Sequence, residues 1–223
     1  MLSGPSFIPN QMTKAVILCH GYGSNGADLA SLSPYLAGEL ANTGFFCPNA
    51  PTPMMFNGYE WFSLSDYSGS FEMVDNTYLD TLVGRCQKSS DMLTDYMNHI
   101  KITHQLTDKD IVLGGFSQGG LIALYTALTG VCDVAGVIGC SAVPLVFDKA
   151  LTPAEVKRKL PVLLTHGAQD DVVPAMGANI SVNELKKVGI SAEVKIFDGL
   201  MHGIDGACLA EIKRFIGTIF DKN

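Results

Sequence analysis

The strongest constraint on how this chain can fold is the regular return of short apolar runs. "AVILC" at 15–19, "GFFCP" at 44–48, "IVLGGF" at 111–116, "VAGVIGC" at 134–140, "PVLLTH" at 161–166 and "AEVKIF" at 192–197 have strand length. Stretches with helical spacing separate them, at about 28–41, 76–104, 118–129, 152–159, 175–188 and 205–220. Strand and helix therefore alternate, which predicts an α/β architecture with a mostly parallel central sheet and helices on both faces. Most runs lack polar alternation, as strands covered on both faces do. Only the last alternates, with Glu193 and Lys195 on one side, so it belongs near a sheet edge. In such a sheet the ligand site is expected at the carboxyl ends of the strands.

The chain has 223 residues, 47% of them hydrophobic, enough to bury a core without metals or crosslinks. With no repeat, low-complexity tract or linker, a single domain over 1–223 is expected. Charged residues are 17% and the net charge is −7, which argues against nucleic acid and anionic membrane surfaces as partners. A small, weakly charged substrate fits better. No apolar run has the length of a membrane span, so no stable membrane insertion is expected. "MLSGPSFIPNQM" lacks a basic start and an apolar stretch, so a cytoplasmic protein is expected, either monomer or homodimer. None of the six cysteines forms a CxxC pair, and Cys19, Cys47, Cys132 and Cys140 lie in or beside apolar segments, reading as small buried hydrophobes.

"GGFSQGG" at 114–120 places Ser117 where a predicted strand turns directly into a predicted helix. Gly115, Phe116, Ser117, Gln118 and Gly119 spell G-x-S-x-G, the pattern of a nucleophile on a sharp bend whose flanking glycines clear space for it. The competing reading is a Gly-rich turn with a helix-capping serine. A serine hydroxyl needs a histidine to take its proton and a carboxylate to orient that histidine. Downstream, Asp170 follows "PVLLTH" and His202 follows "AEVKIF", each at a strand end and in the chain order of the α/β hydrolases. Acyl transfer also needs donors for an oxyanion. The Gly-rich "CHGYGSNGADL" at 19–29 offers the backbone N–H of Tyr22, to pair with that of Gln118. No Lys or Arg lies in that loop and no P-loop pattern is present, which argues against a phosphate cradle.

"HGYGSNGADL", "PNAP", "WFSL", "GFSQGG", "HGAQDDVVP" and "MHGI", taken in order, closely resemble the phospholipase/carboxylesterase family of α/β hydrolases, which includes the acyl-protein thioesterases. The resemblance runs from about residue 14 to 220. It implies a serine hydrolase of esters and thioesters with no large cap domain and no metal or other cofactor. Ser117, Asp170 and His202 would form the triad, with Tyr22 and Gln118 as oxyanion donors. It also selects Asp170 over its neighbour Asp171, which would face outward or bond to the turn leading to Pro174.

The segment 52–71 reads as a long loop rich in Met and aromatic residues. Met54, Met55, Phe56, Trp61 and Phe62 could line an acyl groove, or could pack the loop onto the sheet. His20 and His166 are expected to bond backbone in their turns, and His99 and His104 lie five residues apart, a spacing that does not place two ligands squarely on one helix face. No HExxH pattern or Cys/His cluster supports a metal site. The expected activity is hydrolysis of small carboxylic esters through an acyl-enzyme. The rivals are a thioesterase or lysophospholipase for longer acyl chains, and a catalytically silent binding protein.

Overall fold

The computed structural model describes residues 1–64, 76–129, 133–144 and 160–222, with side chains in the third helix from residue 84 onward. In chain order the elements are β1 (Ser6–Phe7), β2 (Lys14–Cys19), α1 (Gly26–Ala30), α2 (Ser33–Ala37), β3 (Thr43–Phe46), β4 (Thr52–Pro53) and β5 (Tyr59–Glu60). They continue with α3 (Asn76–His104), β6 (Ile111–Phe116), α4 (Gln118–Leu128), β7 (Gly136–Cys140), β8 (Val162–Gly167), α5 (Met176–Lys187), β9 (Ala192–Phe197) and α6 (Gly206–Asp221).

Seven strands form one sheet in the order β1-β3-β2-β6-β7-β8-β9. All neighbours pair in parallel except the antiparallel β1 and β3. The parallel, helix-covered architecture is the expected one, and β9 stands at the edge that its alternation predicted. In β2, Ala15, Ile17 and Cys19 face a core shared with α3 and α4, while Val16 and Leu18 face a core shared with α1, α2 and α6. Every residue of α4 is buried, which explains a helix apolar all round.

Three details differ from the sequence reading. The single helix expected at 28–41 is two short helices, and Pro34 sits in the first turn of α2, where its missing N–H costs nothing. The supposed loop at 52–71 contains the small hairpin β4–β5. The short β1 had no apolar signal. The helix expected at 152–159, Cys132 and positions 65–71 lie outside the described residues. Cys19, Cys47, Cys86, Cys140 and Cys208 are free and buried. No described helix is long and apolar enough to cross a membrane.

Candidate active site

The parallel strands β2, β6, β8 and β9 end at the same edge of the sheet, with β7 between β6 and β8, and the loops that follow them carry the candidate residues. Between β6 and α4, Ser117 has φ 55° and ψ −117°, a backbone conformation that costs a non-glycine residue about 1–3 kcal/mol. Packing holds it there. The Ser117 N–H donates to the Cys140 carbonyl (2.9 Å), and its own carbonyl accepts from Leu121 (3.2 Å) and Val143 (3.3 Å). A Cβ at Gly115 would overlap the Gly119 carbonyl, and one at Gly119 would overlap the carbonyls of Cys19 and His20. The glycines flanking the serine thus let strand, bend and helix approach β2. Ser117 makes no side-chain cap bond to α4, so its hydroxyl is not used as a capping group.

The loops after β8 and β9 are zipped together by backbone. Ala168 N–H donates to Phe197 (2.9 Å) and Gln169 N–H to Leu200 (3.0 Å). Gly167 lies so close to Leu200 and Met201 that a Cβ would overlap their carbonyls. This registers Asp170 on His202, whose Nδ1 lies 2.8 Å from Asp170 Oδ2. The other carboxylate oxygen accepts from the N–H groups of Val172 (3.0 Å) and Val173 (2.8 Å). Burial pushes the Asp170 pKa up, but the bonds from His202 and these two amides outweigh it and hold the carboxyl below its ordinary value. Asp170 therefore serves both the turn and the histidine. The neighbouring Asp171 is exposed, the outward-facing one of its two expected placements, and the turn amides of Val172 and Val173 go to Asp170. The His202 ring rests against Phe116, centroids 4.6 Å apart, beside Ser117. With Nδ1 directed at a carboxylate, Nε2 is the nitrogen available as a base.

The loop after β2 runs past the serine, and a Cβ at Gly21 would stand 3.4 Å from that of Ser117. His20 is fully buried beneath it. Its Nε2 accepts from the Ala50 N–H (2.9 Å), so Nδ1 carries the hydrogen that reaches the Gly21 carbonyl (2.7 Å). Burial lowers the His20 pKa, against an opposing pull from that carbonyl. The backbone N–H groups of Tyr22 and Gln118 donate to no protein acceptor among the described residues. They are two free donors at the mouth of the bend, and that of Gln118 opens α4.

The Gln118 side chain makes contacts that the sequence reading did not foresee. Its Oε1 accepts from Trp61 N–H (2.9 Å) and its Nε2 donates to the Phe62 carbonyl (2.8 Å). Trp61 Nε1–H in turn donates to the His20 carbonyl (2.9 Å), and Ser89 Oγ–H to the Trp61 carbonyl. The only hint in the sequence is that "WFSL" contains the chain's single Trp. Of the residues expected to line a groove, Trp61 and Phe62 are 2% and 6% exposed and belong to the core. At the hairpin tip Met54 is half-buried, while Met55 and Phe56 are 81% and 95% exposed. His99 is exposed and His104 packs on Phe46.

Residues 9–220 match the profile of the phospholipase/carboxylesterase family. Acyl-protein thioesterase 1 of Gibberella zeae is 28% identical over 93% of this chain and 91% of that protein. The protein of the same name from Emericella nidulans is 28% identical over 98% and 96%. Among solved structures, esterase PE8 superposes with a TM-score of 0.85 at 32% identity, covering 98% of this chain and 99% of that one. The strand order, the serine on its bend and the Asp–His pair thus accompany a match along nearly the whole length, and the chain belongs to the phospholipase/carboxylesterase family of α/β hydrolases.

Proposed function

We propose that this hydrolase cleaves carboxylic esters through an acyl-enzyme on Ser117. The observation that carries the reading is the 2.8 Å bond between His202 Nδ1 and Asp170 Oδ2, made beside a strained serine whose hydroxyl has no capping role. His202 Nε2 takes the Ser117 proton as Oγ attacks the ester carbonyl. The oxygen that gains charge is stabilised by the N–H groups of Tyr22 and Gln118. His202 then returns the proton to the leaving alkoxide, and water repeats the cycle to release the acid. Asp170 stays ionised throughout and orients His202.

The same atoms can cleave a thioester, and a second reading has its own support. The two relatives named above are both called acyl-protein thioesterase 1, and Met55 and Phe56 present apolar surface beside the oxyanion loop, which is stitched to the hairpin through Gly23 and Tyr59 (2.9 Å). Labelling by a fluorophosphonate probe, lost in Ser117→Ala, tests the chemistry and separates an enzyme from a silent binding protein. Comparing kcat/KM for p-nitrophenyl esters of increasing chain length with matched S-acyl thioesters tests the substrate. A preference for short oxygen esters supports the first reading, and a preference for long thioesters replaces it with the second.

A further inference from the structure

We infer that His166 is a positioning residue for the reaction, locking the turn that aims Asp170 at His202. The inference rests on the triad assignment above. The His166 side chain is 1% exposed, so its polar atoms must find partners within the protein. Its Nε2 lies 2.7 Å from the Val173 carbonyl. A carbonyl only accepts, so Nε2 carries a hydrogen, whereas His20 carries its hydrogen on Nδ1.

Val173 is thereby held on both sides of its residue. Its carbonyl is bound by His166, and its N–H donates to Asp170 Oδ1 (2.8 Å) alongside that of Val172 (3.0 Å). His166 Nε2 also lies 3.2 Å from Asp170 Oδ2, the oxygen that receives His202. The carboxylate is therefore set between two imidazoles, one from β8 and one from the β9–α6 connection. These are the titratable groups that meet Asp170 among the described residues, since Asp171 turns to solvent. A carboxylate that accepts from two amides of one turn keeps its orientation only while that turn does. The bond from His166 fixes the turn to β8, and through it the direction in which Oδ2 meets His202.

The first test uses the unaltered protein, labelled with ¹⁵N at histidine. His166 should carry its proton on Nε2 and His202 on Nδ1, and a His166 protonated on Nδ1 alone would overturn the proposal whatever any variant does. Variants then measure the consequence. His166→Leu removes the donor, and His166→Gln restores an N–H near the position of Nε2. The leucine variant should lose kcat on a short ester by about tenfold, the rate equivalent of one hydrogen bond, at unchanged KM. It should also broaden the downfield Nδ1–H resonance of His202, and the glutamine variant should recover both. A folded His166→Leu with wild-type kcat and an unaltered His202 resonance sinks the proposal, and if that variant does not fold, the tautomer decides. Asp170→Asn is the control: full activity there removes the triad reading itself, whereas a nearly dead Asp170→Asn beside an unaffected His166→Leu removes the positioning role alone.

Discussion

The bend at 114–120 and the hairpin tip at 54–58 both hold non-glycine residues in the left-handed half of backbone space: Ser117 at φ 55°, Phe56 at φ 60° and Asn57 at φ 61°. The surroundings differ. Ser117 is 8% exposed and boxed in by β2, β7 and α4, whereas Phe56 is 95% exposed on a turn closed by the bond from Met54 N–H to the Gly58 carbonyl (2.8 Å). Strain at the bend is over-determined by packing, so it can serve chemistry. Strain at the tip is local, and the side chains it displays contribute little to the core.

The largest contrast is expected from removing the hydroxyl at the bend. Ser117→Ala should lose on the order of a million-fold in kcat, as in a studied serine protease, with an unchanged melting temperature. His202→Ala should behave alike, while His99→Ala stays near wild type; an active Ser117→Ala protein would end the assignment. Asp170→Asn comes next, with a loss of about 10⁴-fold in kcat, against no appreciable change in Asp171→Asn. Measuring both on one short ester decides between the neighbours, and the reverse ranking would move the role to Asp171.

Packing at the bend can be broken without touching a reacting atom. Gly119→Ala would press a methyl onto the Cys19 and His20 carbonyls, which are backbone and cannot move aside cheaply. It should destabilise the fold by about 1–3 kcal/mol and reduce activity with it. Denaturant melts check the first, and an alanine variant as stable as wild type would show that the approach of α4 to β2 is not tight. At the tip, Met55→Ala and Phe56→Ala should change stability by no more than about 0.5 kcal/mol. They should raise KM for long esters more than for acetate esters, and equal effects on both would deny the tip any role in acyl preference.

The smallest effect concerns acid. The Asp170 carboxyl is held below its ordinary value in the folded protein, so the stability it contributes is fully present above its unfolded pKa of about 3.9 and is lost as pH falls through the lower folded value. Melting curves of wild type and Asp170→Asn should therefore converge as pH is taken below about 4. A gap that stays constant as the pH is taken well below that value would mean that Asp170 carries no such bias.

Much of this was legible in the sequence, for physical reasons that can be traced residue by residue. Strands buried on both faces must be continuous apolar runs, so β2, β6, β7, β8 and β9 were found close to their true bounds. A bend too tight for Cβ atoms must be written with glycines, so Ser117 stood out between Gly115 and Gly119. Elements held by other means left weaker traces. β1 is two residues long, and the hairpin β4–β5 is pinned mainly by hydrogen bonds to Gly23 and Ser24. Such bonds use backbone groups that every residue carries.

The sequence by itself determined the sheet, the order of its elements and the chemical kinds of residue brought to the strand ends, because burial and backbone sterics restrict which residues can occupy those places. Tertiary structure alone decided what distant residues do to one another. Whether Trp61 and Phe62 wall a groove or fill the core depends on where Gln118, 57 and 56 positions away, places its amide. The choice of Asp170 over Asp171 was available in the sequence only through the family resemblance, and its physical cause is how the β8 and β9 loops are zipped, bringing together residues 32 positions apart. Hydrogen bonds between such residues are set by three-dimensional register, to which periodicity and local propensity are blind.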